Sequence, residues 1–501
     1  MSTSRHTMAP SQWRITRLLN WMGPYLFLAI VIVWTLTIFR TLPAPGGDHG
    51  LFVSVAERLI AGDTLYSEVY ENKDPLVHYS LAISRFITPY GDWILEFFWI
   101  LMSCIAAYFI SCSVGISKRQ STFIGFVAAP FILEGVTYFA GSSHPPAVAL
   151  VLVSVALIIR QHFVFAGFVV AVIPFYKLIA FPGVLVVTSA LFLLLRIGRR
   201  NLFKFSISFL LTAFALILVV TFRQELQPYI ANLKFAVEYS DNQGASGVLN
   251  KLLTHVTAVL NGANLSSFAV VVALTMLVFA VLTQEKRLAS ESAKRNFAVA
   301  VAAALMLFVN LGVISMTGLW THHFQIFVPA SVLAFIAFYS VFLSRSAKKP
   351  IVIGVGSFVL ALTIGGVPTP QMWLNKVLYT RADSWELSRV TPNAMGLLEN
   401  GESGTFARLG MGNDGGVMKG LRNWDLSCRF FAQSEFGPQV VFDETLACFP
   451  SAGFLIIDQD FVIQEGEEKW NTFVQASEDI VAANFECDSV EQGRICINKT
   501  G

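Results

Sequence analysis

The sequence predicts a polytopic α-helical membrane protein of about eleven transmembrane helices over residues 1–366, followed by a small exported domain of α/β or α+β type over residues 367–501. Three observations lead there. Hydrophobic residues make up 54% of the chain and charged residues 14%, against about 25% charged in an average soluble domain, and the mean hydropathy is +0.61. Apolar runs of bilayer length recur through the first part, separated by loops that alternate between basic and non-basic. Past Gly366 the long apolar runs stop, and acids and glycines increase. The net charge of +2 by itself says nothing about nucleic acid; the lipid bilayer is the first partner expected, and no nucleic-acid partner is.

At about 20 residues per crossing, the runs give helices near 24–41, 93–114, 121–140, 146–160, 163–176, 178–195, 205–222, 266–283, 297–316, 326–343 and 350–366. No small-residue cleavage site follows the first run, so it is expected to remain as an anchor. The stretch 163–195 is one apolar run interrupted by Pro174, Lys177 and Pro182, which reads as a hairpin or as a broken helix lining a cavity. Arg14 and Arg17, Lys118 and Arg119, Arg160, the group Arg196 to Lys204, Lys286 to Arg295, and Arg345 to Lys349 fall in one set of loops. Loops 141–145 and 317–325, in the opposite set, hold no Lys or Arg. The N-terminus is therefore expected in the cytoplasm of a multi-pass cell-membrane protein, with loop 42–92 outside. An odd number of crossings puts the tail outside as well.

Between the first two runs, residues 46–81 carry more chemistry than a connector needs. Gly46-Gly47 presents Asp48, and segment 51–60 then sets Leu51, Phe52, Val55, Leu59 and Ile60 on one face with Glu57 and Arg58 off it. Such a helix suits the membrane interface. Gly62 ends it, Leu65-Tyr66 follows, and Lys73-Asp74-Pro75-Leu76 leads into His78 and Tyr79. A carboxylate at a membrane boundary, followed by basic and aromatic groups, reads as an active site facing a lipid-borne substrate. The plainer alternative makes Asp48 the cap of the helix beginning near Leu51, and one residue can do both.

An Asp after the first membrane helix, then A-x-x-L-x-x-G-x-x-L-Y over residues 56–66, then Lys73-Asp74-Pro75-Leu76 with Tyr79 after it, resembles the first extracytoplasmic loop of the GT-C glycosyltransferases. The similarity is nearest to the protein mannosyltransferases and the bacterial lipid A aminoarabinose transferases, and covers roughly the first two-thirds of the chain. It implies a GT-C-like membrane domain and an inverting hexosyl- or pentosyltransferase. The donor would be a polyprenyl-phosphate-linked sugar, and the acceptor an envelope glycan, lipid or protein on the outer face. It also implies that Asp48 is the base and Lys73 a donor-phosphate contact, with His78 and Tyr79 in the same loop. Family members often have Lys-Pro-Pro here, so Asp74 is a departure.

Further candidates lie at other outer helix ends. Lys177 sits at the break in the 163–195 run with no acid nearby in sequence, and ionisable groups at membrane depth are commonly functional; the alternative is a Lys reaching to the interface. The family often has a Lys or Arg in a comparable place as a phosphate ligand. Trp320-Thr321-His322-His323-Phe324, ahead of a helix containing Pro329, is similar to the His-Tyr pair of bacterial GT-C relatives, with Phe324 in the Tyr position. Adjacent histidines face different ways, so phosphate or sugar contact is expected of His322 and His323 before metal binding; no cofactor is indicated. Relatives commonly carry a carboxylate near residue 144, where this chain has His144. Glu134 either supplies that charge or is paired between helices. Loop 223–265, with Arg223, Lys234, Glu238, Tyr239 and Asp241, reads as solvated.

In the tail, 404–409 and 453–458 read as short strands, and 480–485 is ambiguous. Cys104 and Cys112 fall inside a span, whereas Cys428, Cys448, Cys487 and Cys496 lie in the tail. Four cysteines in an exported domain allow three pairings; sequence nearness favours Cys428–Cys448 and Cys487–Cys496, and the absence of a C-x-x-C spacing disfavours a zinc site. Two other functions compete with sugar transfer: a polytopic transporter or flippase, and an inactive scaffold that only binds lipid-linked sugar. Transporters of this size often show paired halves with repeated broken helices, which this sequence lacks.

Overall fold

The structure, a computed structural model, describes residues 48–88, 91–129, 141–242, 290–314, 325–343, 404–410, 421, 423–430, 432–435, 437–490 and 493–499. The expected spans 24–41, 266–283 and 350–366, the second half of span 121–140 and the domain boundary at Gly366 lie outside these residues. So do Glu134, His322, His323 and the side chain of Asp48.

The apolar runs that are described fold as helices, the arrangement in which each segment satisfies its own backbone groups without water. After two loop helices, α1 (Asp48–Ala61) and α2 (Pro75–Ile87), come α3 (Gly91–Ser113), α4 (Lys118–Phe123) running into a π turn (Ile124–Ala128), α5 (His144–Ile159) and α6 (Phe163–Tyr176). A 3-10 turn (Leu178–Ala180) leads to α7 (Phe181–Leu194), α8 (Arg199–Phe222), α9 (Leu226–Asn242), α10 (Glu291–Ile314) and α11 (Val328–Leu343). Among the described residues, Ile94–Ser113, Arg199–Phe222 and Glu291–Ile314 are long and apolar enough to cross a membrane, and the other apolar helices are shorter. Pro174 lies inside α6 and Pro182 opens α7; between them Lys177 is extended, at φ −160° and ψ 94°. The expected break is therefore present.

α3 packs on α5, α5 on α6, α6 on α8, and α7 on α10, which also meets α11. Close approach depends on small residues: a Cβ at Gly167 would meet the Phe205 carbonyl oxygen at 2.3 Å, and one at Gly183 would meet Asn310 Oδ1 at 2.3 Å. α8 exposes Phe203, Leu210, Leu211, Phe214 and Phe222, as a helix with one side to lipid would.

The first loop departs from the sequence reading. α1 is buried on nearly all sides rather than lying in the interface, with Phe52, Val55 and Ala56 each at most 1% exposed. Its apparent polar face is satisfied internally: Glu57 accepts from Arg85 Nε at 2.9 Å and Arg58 Nε donates to Asp63 at 2.6 Å. The exposed apolar surface is on α2 instead, at Ile83, Phe86 and Ile87, beside Ile94, Phe97 and Phe98 of α3.

The tail is a five-stranded sheet made of β1 (Thr405–Leu409), β2 (Asp425–Leu426), β3 (Phe454–Asp458), β4 (Phe485–Val490) and β5 (Gly493–Asn498), ordered β2-β1-β3-β5-β4. β1 runs parallel to β2 and β3, while β5 is antiparallel to β3 and β4. Strand side chains alternate between faces. Ala407, Leu409, Leu455 and Ile457 pack with helices α12 (Gln439–Cys448) and α13 (Glu468–Asn484) through Phe442, Trp470 and Phe473. Phe406, Phe454 and Ile456 pack with Val55, Leu65, Tyr66 and Trp424. The first loop thus covers the second face of the sheet. The ambiguous 480–485 stretch is the junction of α13 and β4. Disulfides join Cys428 to Cys448 and Cys487 to Cys496, the latter pair directly opposite across β4 and β5; Cys104 and Cys112 are free thiols.

Candidate active site

Asp74 stands at the N-cap position of α2, extended because Pro75 follows. Its carboxylate does not cap that helix. One oxygen accepts from the Leu178 backbone N–H at 3.0 Å and the other from Tyr229 OH at 2.7 Å. The first loop is thereby fastened to the break after α6 and to α9. Burial raises the Asp74 pKa; the Leu178 N–H, the Tyr229 hydroxyl and the positive charges of Lys177 and Lys73 act the other way. Lys177 itself is only 5% exposed. Burial and the Asp74 anion together raise the Tyr229 phenol.

A second cluster surrounds Glu71. His78 Nε2 lies 3.2 Å from one carboxylate oxygen and Lys73 Nζ 3.6 Å from the other, while the Lys73 backbone N–H donates to Glu71 at 2.6 Å. Burial would raise the Glu71 pKa, but Lys73 and His78 outweigh it and bring it down to about 2. Phe52 of α1 sets its ring edge-on to His78 at 5.5 Å and lies under Lys73 Nζ at 5.7 Å. Tyr66 holds Lys73 from behind, its OH donating to the Lys73 carbonyl at 2.7 Å. Its φ of +68° is unusual for a non-glycine residue, and packing on Tyr229 at 5.5 Å helps to fix it.

The third cluster joins α2 to the segment after α8. Tyr79 OH donates to Glu225, which also accepts from Arg223 Nε at 2.9 Å; the guanidinium lies 4.8 Å above the Tyr79 ring. Burial and the Glu225 carboxylate raise the Tyr79 phenol. Beside it, Tyr70 OH donates to Asn232 at 2.6 Å. Residues 223–232 are thus built against the first loop, not solvated as the sequence suggests.

Of the residues singled out in the sequence, Lys73, His78, Tyr79 and Lys177 therefore fall in one contiguous interface, and Asp74 bridges it. Asp48 opens α1 one turn before Phe52, on the same helix face. His144 is buried at the N-terminus of α5. His322 and His323 lie outside the described residues. Glu71, Glu225, Tyr229 and Asn232 were not anticipated. The one sequence signal for Glu71 was its place between two aromatic-rich segments and Lys73; the other three carried none.

No protein-family model matches the chain, and no curated protein matches it. Solved structures do. The Archaeoglobus fulgidus oligosaccharyltransferase in complex with zinc and sulfate is similar over 95% of this chain and 73% of its own, at a TM-score of 0.50 and 12% identity. Its apo form is similar over 92% and 68%, at 0.50 and 13%. The archaeal oligosaccharyltransferase AglB from the same organism, in complex with an inhibitory peptide and a dolichol-phosphate, reaches 0.45 and 11% over 96% and 75%. The first two establish a shared fold, that of the Archaeoglobus fulgidus oligosaccharyltransferase. At these identities the likeness is one of fold.

Proposed function

We propose that this chain, which shares the fold of archaeal oligosaccharyltransferases, is an inverting membrane glycosyltransferase. It would move a hexose or pentose from a polyprenyl-phosphate donor to a hydroxyl of an envelope glycan, glycolipid or protein on the outer face of the membrane. The observation that carries this reading is the seat of the first loop on the membrane-helix break: Asp74 binds the Leu178 N–H and Tyr229, with Lys73 and Lys177 both acting on its charge. A buried cation, Lys177, and a part-buried one, Lys73, about one anchoring carboxylate suit a departing phosphate.

In this mechanism the acceptor oxygen forms its bond to the anomeric carbon as the bond to the phosphate oxygen breaks. Asp48 takes the hydroxyl proton, and polyprenyl phosphate leaves with its new charge facing Lys73 and Lys177. His78, Tyr79, His144, His322 and His323 are assigned to sugar and phosphate contact. One oligosaccharyltransferase crystal holds zinc. Among the described residues no group of three His, Cys, Asp or Glu converges as metal ligands must, and Asp74, Glu71 and Glu225 are each held by other donors. No step is therefore routed through a metal.

The test is Asp48→Asn against wild type, with donor binding and sugar transfer measured on one preparation. Asn caps a helix about as well as Asp but accepts no proton, so turnover is expected to fall by about 10²–10⁴-fold while donor binding and folding survive. Lys177→Ala is expected to weaken donor binding as well. Near-normal transfer by the Asn variant would remove Asp48 from the mechanism.

A further inference from the structure

Arg223 closes the uncharged run 205–222 that ends α8, a helix long and apolar enough to cross a membrane. A basic side chain at such a point normally reaches the headgroup level on a flexible stem. This one is fixed. Its Nε donates to Tyr79 OH at 2.7 Å and to Glu225 at 2.9 Å, and its guanidinium carbon lies 4.8 Å from the centre of the Tyr79 ring. The Glu225 side chain is wholly buried, whereas that of Arg223 is 44% exposed. Both bonds use Nε, so the guanidinium is held from one side and its two Nη groups take part in neither bond. A guanidinium fixed in this way presents a rigid fork that matches the oxygens of a phosphate.

The surroundings say which phosphate. Phe222, the residue before Arg223, is 82% exposed and continues the exposed stripe of Leu211 and Phe214 along α8. On α2, Ile83 and Phe86 follow Tyr79 one and two turns along the same face, and both are exposed. Arg223 therefore stands between two exposed apolar surfaces. A soluble phosphate gains nothing from them; a phospholipid, whose phosphate heads two acyl chains, uses both. Resting on the reading that α8 crosses the bilayer, we infer that Arg223 binds a phospholipid where α8 ends. Its Nη groups donate to the phosphodiester oxygens, and the acyl chains cover Phe222, Ile83 and Phe86. This lipid takes no part in sugar transfer, whose donor phosphate is assigned to Lys73 and Lys177.

The test offers purified full-length protein in detergent either phosphatidylglycerol or the diacylglycerol with the same chains, and counts retained lipid by native mass spectrometry. Wild type is expected to retain phosphatidylglycerol in preference. Arg223→Gln keeps a polar group beside Tyr79 and Glu225 but loses the cation and the fork. It is expected to hold one phosphatidylglycerol about tenfold more weakly and to leave diacylglycerol retention unchanged. Phe86→Ser removes apolar surface and no charge, and should weaken both lipids alike. Should Arg223→Gln not fold, Arg223→Lys tests the same point: it keeps the charge opposite Glu225 but not the fork, and the preference is again expected to fall. Wild-type retention of phosphatidylglycerol by a folded Arg223 variant overturns the inference, as does a wild type without preference. Equal weakening of both lipids by Arg223→Gln overturns it too, by making the residue merely structural. Undecaprenyl phosphate that displaces the Arg223-dependent lipid would assign the guanidinium to the donor, and so overturn it as well.

Discussion

At Glu71, burial and charge pull in opposite directions. Desolvation favours the protonated form, but Lys73, His78 and a backbone N–H hold the carboxyl at about 2, below its ordinary 4.5. A group that binds its proton more weakly in the folded than in the unfolded state stabilises the fold above the unfolded value, and that contribution is lost as pH falls through the folded one. The window is therefore about pH 4.5 down to 2, and the contribution at neutral pH is on the order of 3 kcal/mol. Glu71→Gln is expected to lower the melting temperature at pH 7 and to flatten its fall across that window. A wild-type slope retained in the variant would assign the titration to another group. Asp74 has the opposite sign: its pKa is raised, chiefly by burial, so its ionisation weakens the fold as pH rises above the ordinary carboxyl range. A carboxylate kept at that cost is consistent with a role beyond stability.

Among the elements, α1 decides how the two parts of the protein meet. One side packs in the membrane-domain core through Phe52 and Ala56, and the other covers the tail sheet through Val55. Arg58 fastens the contact. Besides Asp63, it donates to the carbonyls of Leu421 at 2.9 Å and Trp424 at 2.6 Å, and its guanidinium lies 5.3 Å over the Phe406 ring. Arg58→Ala would leave two carbonyls and a carboxylate without their donor, a loss of about 2–3 kcal/mol. The expected result is a lower melting temperature together with faster proteolysis of the tail. A tail as protease-resistant as wild type would show that the apolar contacts of Val55 and Leu65 suffice. The same packing makes the tail sheet a support for the helix that carries Asp48.

For the molecule as a whole, the outstanding quantity is topology. The described helices agree in position with the apolar runs wherever both can be compared, and the structure shares the fold of an archaeal oligosaccharyltransferase. The two disulfides suit an oxidising compartment outside the cytoplasm. Eleven crossings with the N-terminus inside remain our proposal, and they predict that reporter fusions at Ser346 and at Gly366 report opposite compartments, cytoplasm for the first. Matching compartments would overturn the span count.

What the sequence determined is what has only one local solution. A bilayer-length apolar run must be a helix; Pro174 and Pro182 around Lys177 must interrupt one; Gly62, at φ +115°, ends another because it alone tolerates that backbone. The neighbouring cysteine pairs and the loop pattern around Asp48 and Lys73 were legible for the same reason, being local. What only the tertiary structure decided are contacts between residues distant in the chain. Asp74 finds the Leu178 N–H 104 residues away and Tyr229 155 residues away, and Arg58 finds Leu421 and Trp424 across 363 and 366. For that reason α1 read as an interfacial helix: a periodic pattern reports that one face is covered, not whether lipid or another domain covers it. Glu225 and Arg223 read as a solvated loop because a charge's partner, which settles whether it is buried, is absent from its neighbourhood in sequence.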